Sequence, residues 1–151
     1  MKTFSILLFV TVLMIGQDLF AQNGVYQSSK FEFINKNEPS RNRVEYKTNT
    51  LTFQINESSG EFTGGKILWE MKNDEQSEFL EMSLVRMKNS FFDEKSNAFV
   101  KVYDANIMML GQVVGKEDIY ITKFIKTNLY RLEMYNTVRQ TINRFDNIKK
   151  L

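Results

Sequence analysis

The sequence predicts a mainly β protein: an antiparallel meander forming a small barrel or strongly curved sheet, with one C-terminal helix packed against it. Three observations carry this. Apolar and polar residues alternate over short stretches from Phe31 to about Met134, the period of half-buried strands. Turn-like clusters separate those stretches at roughly 8 to 12 residue spacing. Only the last segment changes period: Val138, Ile142, Phe145 and Ile148 step by four, three and three, one helix face.

In chain order, residues 22–30 are polar and read as a flexible lead-in to a single domain over 31–151. Phe31 and Phe33 begin the alternation, followed by Val44, Tyr46 and Thr48, then Leu51, Phe53 and Ile55. The parity of the apolar face switches between Thr48 and Leu51, which calls for a turn or a bulge near Asn49. Glu57 to Glu61 reads as a hairpin loop into a strand carrying Ile67, Trp69 and Met71, and Asn73-Asp74-Glu75 as the next turn. Leu80, Met82 and Leu84 continue the sheet, although 79–88 also fits a helix. Lys88 to Asn97 reads as a long loop. Ala98, Val100 and Val102 then alternate with Phe99, Lys101 and Tyr103. Further strands follow over 107–114, 119–125 and around Tyr130, and the C-terminal helix is placed at about 136–149, capped by Asn136.

The first 21 residues have the three parts of a secretory signal peptide. Lys2 is the positive start, Phe4 to Ile15 the uncharged apolar run, and Ala21 the small residue before the cleavage point. The apolar run is shorter than the roughly 20 residues that span a bilayer, so no stable transmembrane segment is expected after processing. The expected product is a secreted or periplasmic domain of roughly 130 residues. It has no cysteine, so packing alone must hold it together, and disulfide-rich scaffolds are excluded. Cleavage removes one lysine and one aspartate and leaves the net charge at +2. A charge so near zero argues against nucleic acid as a partner.

Histidine is also absent. That rules out Ser-His-Asp and Cys-His machinery and removes the usual ligands of zinc, copper and haem. No cofactor or metal site is indicated, and the glycines form no phosphate-binding loop. Two-carboxylate chemistry survives the exclusion, with Glu78, Glu81 and Asp93 as its candidates. The prevailing reading is a non-catalytic binding module.

Contact candidates are few. Phe91 and Phe92 stand together in the presumed loop beside Asp93-Glu94, where adjacent aromatics can meet a ligand or partner. Met108 and Met109 cannot share one face of a strand, so one of them is available to line a second apolar surface. Charge is uneven: residues 70–97 carry a net −3, residues 119–151 a net +5. Arg131, Arg139, Arg144, Lys149 and Lys150 form the candidate basic surface for an anionic partner, in an envelope-associated structural role. The meander resembles lipocalin-like barrels in architecture only. It lacks their Gly-x-Trp signature, because Gly64-Gly65-Lys66-Ile67-Leu68-Trp69 has neither the spacing nor the first-strand position. That resemblance implies an apolar small molecule held inside the barrel.

Overall fold

The computed structural model describes residues 23–72 and 77–151. The predicted signal peptide and the turn at Asn73-Asp74-Glu75 lie outside the described residues. The described chain forms β1 (Gly24–Ser28), β2 (Lys30–Asn35), β3 (Arg43–Glu45), β4 (Asn49–Ser58), β5 (Glu61–Lys72), β6 (Ser77–Asp93), β7 (Ala98–Met109), β8 (Gln112–Phe124), β9 (Tyr130–Asn136) and β10 (Thr141–Lys150). A single 3-10 turn at Pro39–Arg41 joins β2 to β3, and there is no α-helix among the described residues. Residues 24–28, read from sequence as part of a flexible lead-in, are the strand that closes the sheet.

Closure follows from the register. β10 pairs with β2 from Asn35↔Thr141 to Lys30↔Asp146, and with β1 at Gln27↔Lys149 and Tyr26↔Lys150. One unbroken register covers both pairings, so β1 and β2 are two halves of one stave. Ser28 holds the joint: its hydroxyl lies 2.8 Å from the Lys30 carbonyl oxygen and 2.7 Å from that of Asp146, its one proton shared between them. β3 and β4 make the second stave, against β2 and β1 respectively. Between Phe31↔Glu45 and Ser28↔Asn49 the second stave carries one extra residue. That is the irregularity its sequence parity called for near Asn49. The eight staves are antiparallel, follow chain order and close on themselves, an up-and-down barrel with no free sheet edge between its staves.

The turns define two ends. One carries the β4–β5, β6–β7 and β8–β9 turns together with the start of β1; the other carries the 3-10 turn and the β7–β8 and β9–β10 turns. Eight staves leave an interior that side chains can fill, and here aromatics fill it. Tyr26 stacks on Phe53 (centroids 4.7 Å), while Trp69 meets Phe145 edge-on (4.9 Å) and Phe31 face-on (5.7 Å). Leu51, Ile67, Met82, Ile119 and Leu132 close the gaps with no measurable exposure. Gly65 permits one close approach, because a Cβ there would lie 2.5 Å from the Gln54 carbonyl oxygen.

Cross-strand ion pairs such as Arg144 with Glu32 (3.1 Å) and Lys88 with Asp118 (3.0 Å) stand on the outer face.

The C-terminal helix is corrected to strand β10, entered through the turn 137–140. The three-residue step from Phe145 to Ile148 that read as helical has another cause. Phe145 opposes Leu132 and Ile148 opposes Tyr130, with a bulge between them, and the extra residue brings both side chains inward, each 0% exposed. Val138, taken as the start of the helical face, sits in the turn at 90% exposure. A second correction concerns 79–97. Residues 77–93 are one continuous strand, neither helix nor long loop, and only 94–97 turn. Bulges between Leu84 and Arg86 and between Met87 and Asn89 hide its alternation from a strict period-two reading.

Candidate functional site

β7 inverts the expected parity. Tyr103, Ala105 and Ile107 belong to the core cluster, so Lys101, two residues before Tyr103, also projects inward. Val100 and Val102 lie outside and are buried there beneath cross-strand neighbours such as Phe91 and Tyr120. The sequence thus places a lysine on the apolar parity of a buried strand, the signal that a reading of 98–103 alone misses.

Lys101 is 7% exposed, and its Nζ donates to both carboxylate oxygens of Glu57, at 2.7 and 2.8 Å. Glu57 continues the inward parity of Leu51, Phe53 and Ile55 on β4. The Tyr103 hydroxyl donates to the same carboxylate at 3.3 Å. Burial, and then the Glu57 charge, push the Tyr103 hydroxyl above the ordinary tyrosine range, so it acts as a hydrogen-bond donor throughout the physiological range. Tyr26 is pushed the same way by burial and by Tyr130.

Lys123 enters the same end from β8, sharing the inward parity of Ile119 and Ile121. It is 4% exposed. Its Nζ donates to the Asn128 carbonyl at 3.2 Å and lies 4.0 Å from the centre of the Tyr130 ring. Among the described residues it makes no ion pair, and burial lowers its pKa below the usual lysine value. The turn beneath it is held by Asn128 at φ 57°, a left-handed conformation that asparagine accepts. The neighbouring turn is tied on by Ile125 N–H donating to the Asn97 carbonyl (3.2 Å). The mouth of the barrel is therefore lined by Glu57, Lys101 and Lys123 above a floor of tyrosine and phenylalanine. None of the three was singled out as a site residue by sequence; Lys123 counted only towards the basic C-terminal charge.

The other candidates are distributed. Phe91 and Phe92 lie in β6, not in a loop, at 44% and 43% exposure. They face opposite ways: Phe91 covers Val100, while Phe92 faces the mouth and packs on Phe99 (5.1 Å). Met108 lines an outer groove of about 520 Å³ with Leu68, Phe79, Leu110, Glu78 and Glu81; Met109 takes the opposite parity on β7. Arg131 pairs with Asp146, and Arg144 with Glu32 and Glu133. Arg139 sits in the turn 137–140 at the far end, and Lys149 and Lys150 close β10 at the mouth end. The five basic residues are spread over both ends of the barrel and include two whose charge is already matched.

Glu78 and Glu81 lie near one end of β6 and Asp93 at the other, so neither faces Asp93. Glu81 is bridged to Lys66 at 3.3 Å. Asp93, twelve residues further along the same strand at roughly 3.3 Å per residue, caps its own turn through Lys95 N–H and the Ser96 hydroxyl. One further carboxylate is inside: Glu117, opposite Ala105 on β8. Burial raises its pKa, and its Oε2 and the Trp69 indole N–H are the two buried side-chain atoms without a partner among the described residues. No group of three or more carboxylates among the described residues is placed to hold a metal ion. Comparison of the chain with protein-family models, with curated proteins and with solved structures gives no match.

Proposed function

We propose that this chain is an exported, non-catalytic binding module whose ligand sits at the mouth of the barrel and not in a deep apolar cup. The observation that supports this reading is the placing of Glu57, Lys101 and Lys123 in the mouth of an interior otherwise filled by apolar and aromatic side chains. Burying an ion costs several kcal/mol, and apolar residues of similar size would hold the fold as well. The deep interior is occupied by Trp69, Phe31 and Phe145, and Glu57, Lys101 and Lys123 bring polar groups together at the mouth. The separation of Glu81 from Asp93 counts against that pair as the two carboxylates of a hydrolase.

Native mass spectrometry of the protein purified from its host tests both parts. The expected spectrum has an N-terminus near Gln22 and a one-to-one complex with a small molecule, released on replacing mouth residues. An intact Met1 on the exported form overturns the export reading. A bound molecule that survives replacement of mouth residues but is lost on changes to the outer groove at Phe79 and Leu110 overturns the site.

A further inference from the structure

We infer that the mouth recognises an amphipathic anion: a carboxylate or phosphate monoester on an aromatic or apolar body, with Lys123 as the charge that receives it. The inference rests on the reading of the mouth as the binding site and names the chemistry of what binds there.

Two independent features point to it. The first is the state of the two inward lysines. Lys101 has its counter-charge within the fold, held by both oxygens of Glu57. Among the described residues Lys123 has the Asn128 carbonyl and the face of Tyr130, and no carboxylate. A carbonyl dipole and a ring quadrupole stabilise an ammonium without neutralising it, so an excess positive charge is stored at a nearly dry position. An arriving anion removes that excess and gains a charge-assisted hydrogen bond away from bulk water, where it is strongest.

The second feature is the row in which Lys123 stands. Across the ladder Phe92 opposes Phe99, Phe99 opposes Lys123, and Lys123 opposes Tyr130. Neighbouring staves lie about 4.8 Å apart, so these side chains line the mouth side by side, aromatic on both flanks of the cation. Phe92 keeps 43% of its surface exposed although its ring packs on Phe99. The row offers an apolar shelf leading to a single positive charge, a match for a ligand with a flat or apolar body and an anionic head. A polar, highly hydrated anion such as free sulfate uses the charge but not the shelf.

The test uses the purified protein and three probes of one shape: benzoate, phenyl phosphate and the uncharged benzamide, followed by NMR chemical-shift changes. Benzoate or phenyl phosphate is expected to shift the resonances of Phe92, Phe99, Tyr130 and Lys123, with benzamide at least tenfold weaker. The tighter of the two anions tells whether a carboxylate or a phosphate is the natural head. Lys123→Gln is expected to weaken both anions at least tenfold and to leave benzamide unchanged. The three-probe comparison on the unaltered protein stands by itself should that variant fold poorly. Benzamide binding as well as the anions, or Lys123→Gln binding them undiminished, overturns the anion inference while leaving the mouth as the site. Shifts confined to the outer grooves overturn the mouth reading and this inference with it. No shift from any probe at about 10 mM, a concentration that detects even millimolar affinity, overturns the anion inference.

Discussion

Replacing Lys101 with methionine isolates the energetics of the mouth. The substitution keeps most of the aliphatic volume and removes the ammonium, leaving the Glu57 carboxylate, among the described residues, with the Tyr103 hydroxyl 3.3 Å away. The Lys101 and Glu57 side chains are 9% and 11% exposed, so water cannot replace the lost partner fully. Breaking one side of such a pair costs about 3 to 5 kcal/mol. In a domain of this size that lowers Tm by roughly 10 to 20 °C, and it is a large share of a total stability of about 5 to 15 kcal/mol. The double variant Lys101→Met with Glu57→Met removes both charges and is expected to regain most of that loss, because an apolar pair of similar volume bears no desolvation cost. Urea unfolding followed by fluorescence of Trp69, the single tryptophan, measures all of this. A Lys101→Met cost below about 1 kcal/mol, or costs for the two single changes that merely add in the double, would show the pair to be screened by water and refute the argument for a buried charged mouth.

Other changes are expected to act through separate physics. Glu117→Gln should raise stability at neutral pH and lose that advantage in acid. Burial raises the folded pKa of Glu117, so the carboxyl costs nothing below its unfolded pKa and destabilises the fold as pH rises through the folded one; urea midpoints at pH 4 and pH 7 check the sign. Lys123→Gln should reduce an alkaline rise in stability. The folded pKa of Lys123 is lowered by burial, so its desolvation cost is relieved as pH climbs from that value towards the unfolded one near 10.4; the difference between variant and parent from pH 8 to pH 10 reads it out. Gly65→Ala should cost more than about 1 kcal/mol, since its Cβ would meet the backbone of Gln54 and Ile55 at 2.5 and 2.8 Å; thermal unfolding measures the loss. Arg86→Ala, by contrast, removes an exposed pair with Asp104 and should change stability by less than about 1 kcal/mol.

The β class and the meander were legible because strands such as β4 and β9 alternate in period two over their central residues. Leu51, Phe53 and Ile55 are each 8% exposed or less, as their spacing requires. Even the irregularity near Asn49 is written in the switch of parity at that point. Legibility fails where a bulge falls inside a strand with no turn-like residues to mark it. The bulge between Phe145 and Ile148 turns a strand spacing into a helical one, and those in β6 blur 79–93 into helix or loop. A bulge is set by cross-strand register, and one sequence contains the partner strand without saying where it pairs. The mouth was hidden for a related reason. Glu57, Lys101 and Lys123 come from three different strands, and each alone reads as an ordinary polar position. Their convergence exists only once the staves are in register.

Closure and filling together set what this barrel can offer a ligand. The interior of an eight-stave barrel either holds side chains or holds one small molecule. Tyr26 over Phe53 and Trp69 over Phe145 commit the deep interior to the first use. Cavity-type binding of an apolar guest, the role implied by the lipocalin-like architecture, would require displacing rings that also carry the stability of a domain without a single disulfide. At the mouth the demand is different. The Lys101–Glu57 pair satisfies its own charges and fixes the floor, so no large rearrangement is needed to receive a ligand head beside it. Lys123, one stave away and without a counter-charge among the described residues, is where the proposed ligand would gain binding energy. A filled core with an inward-pointing lysine that has no ion-pair partner among the described residues suits recognition of a head group at the surface better than engulfment of a whole molecule.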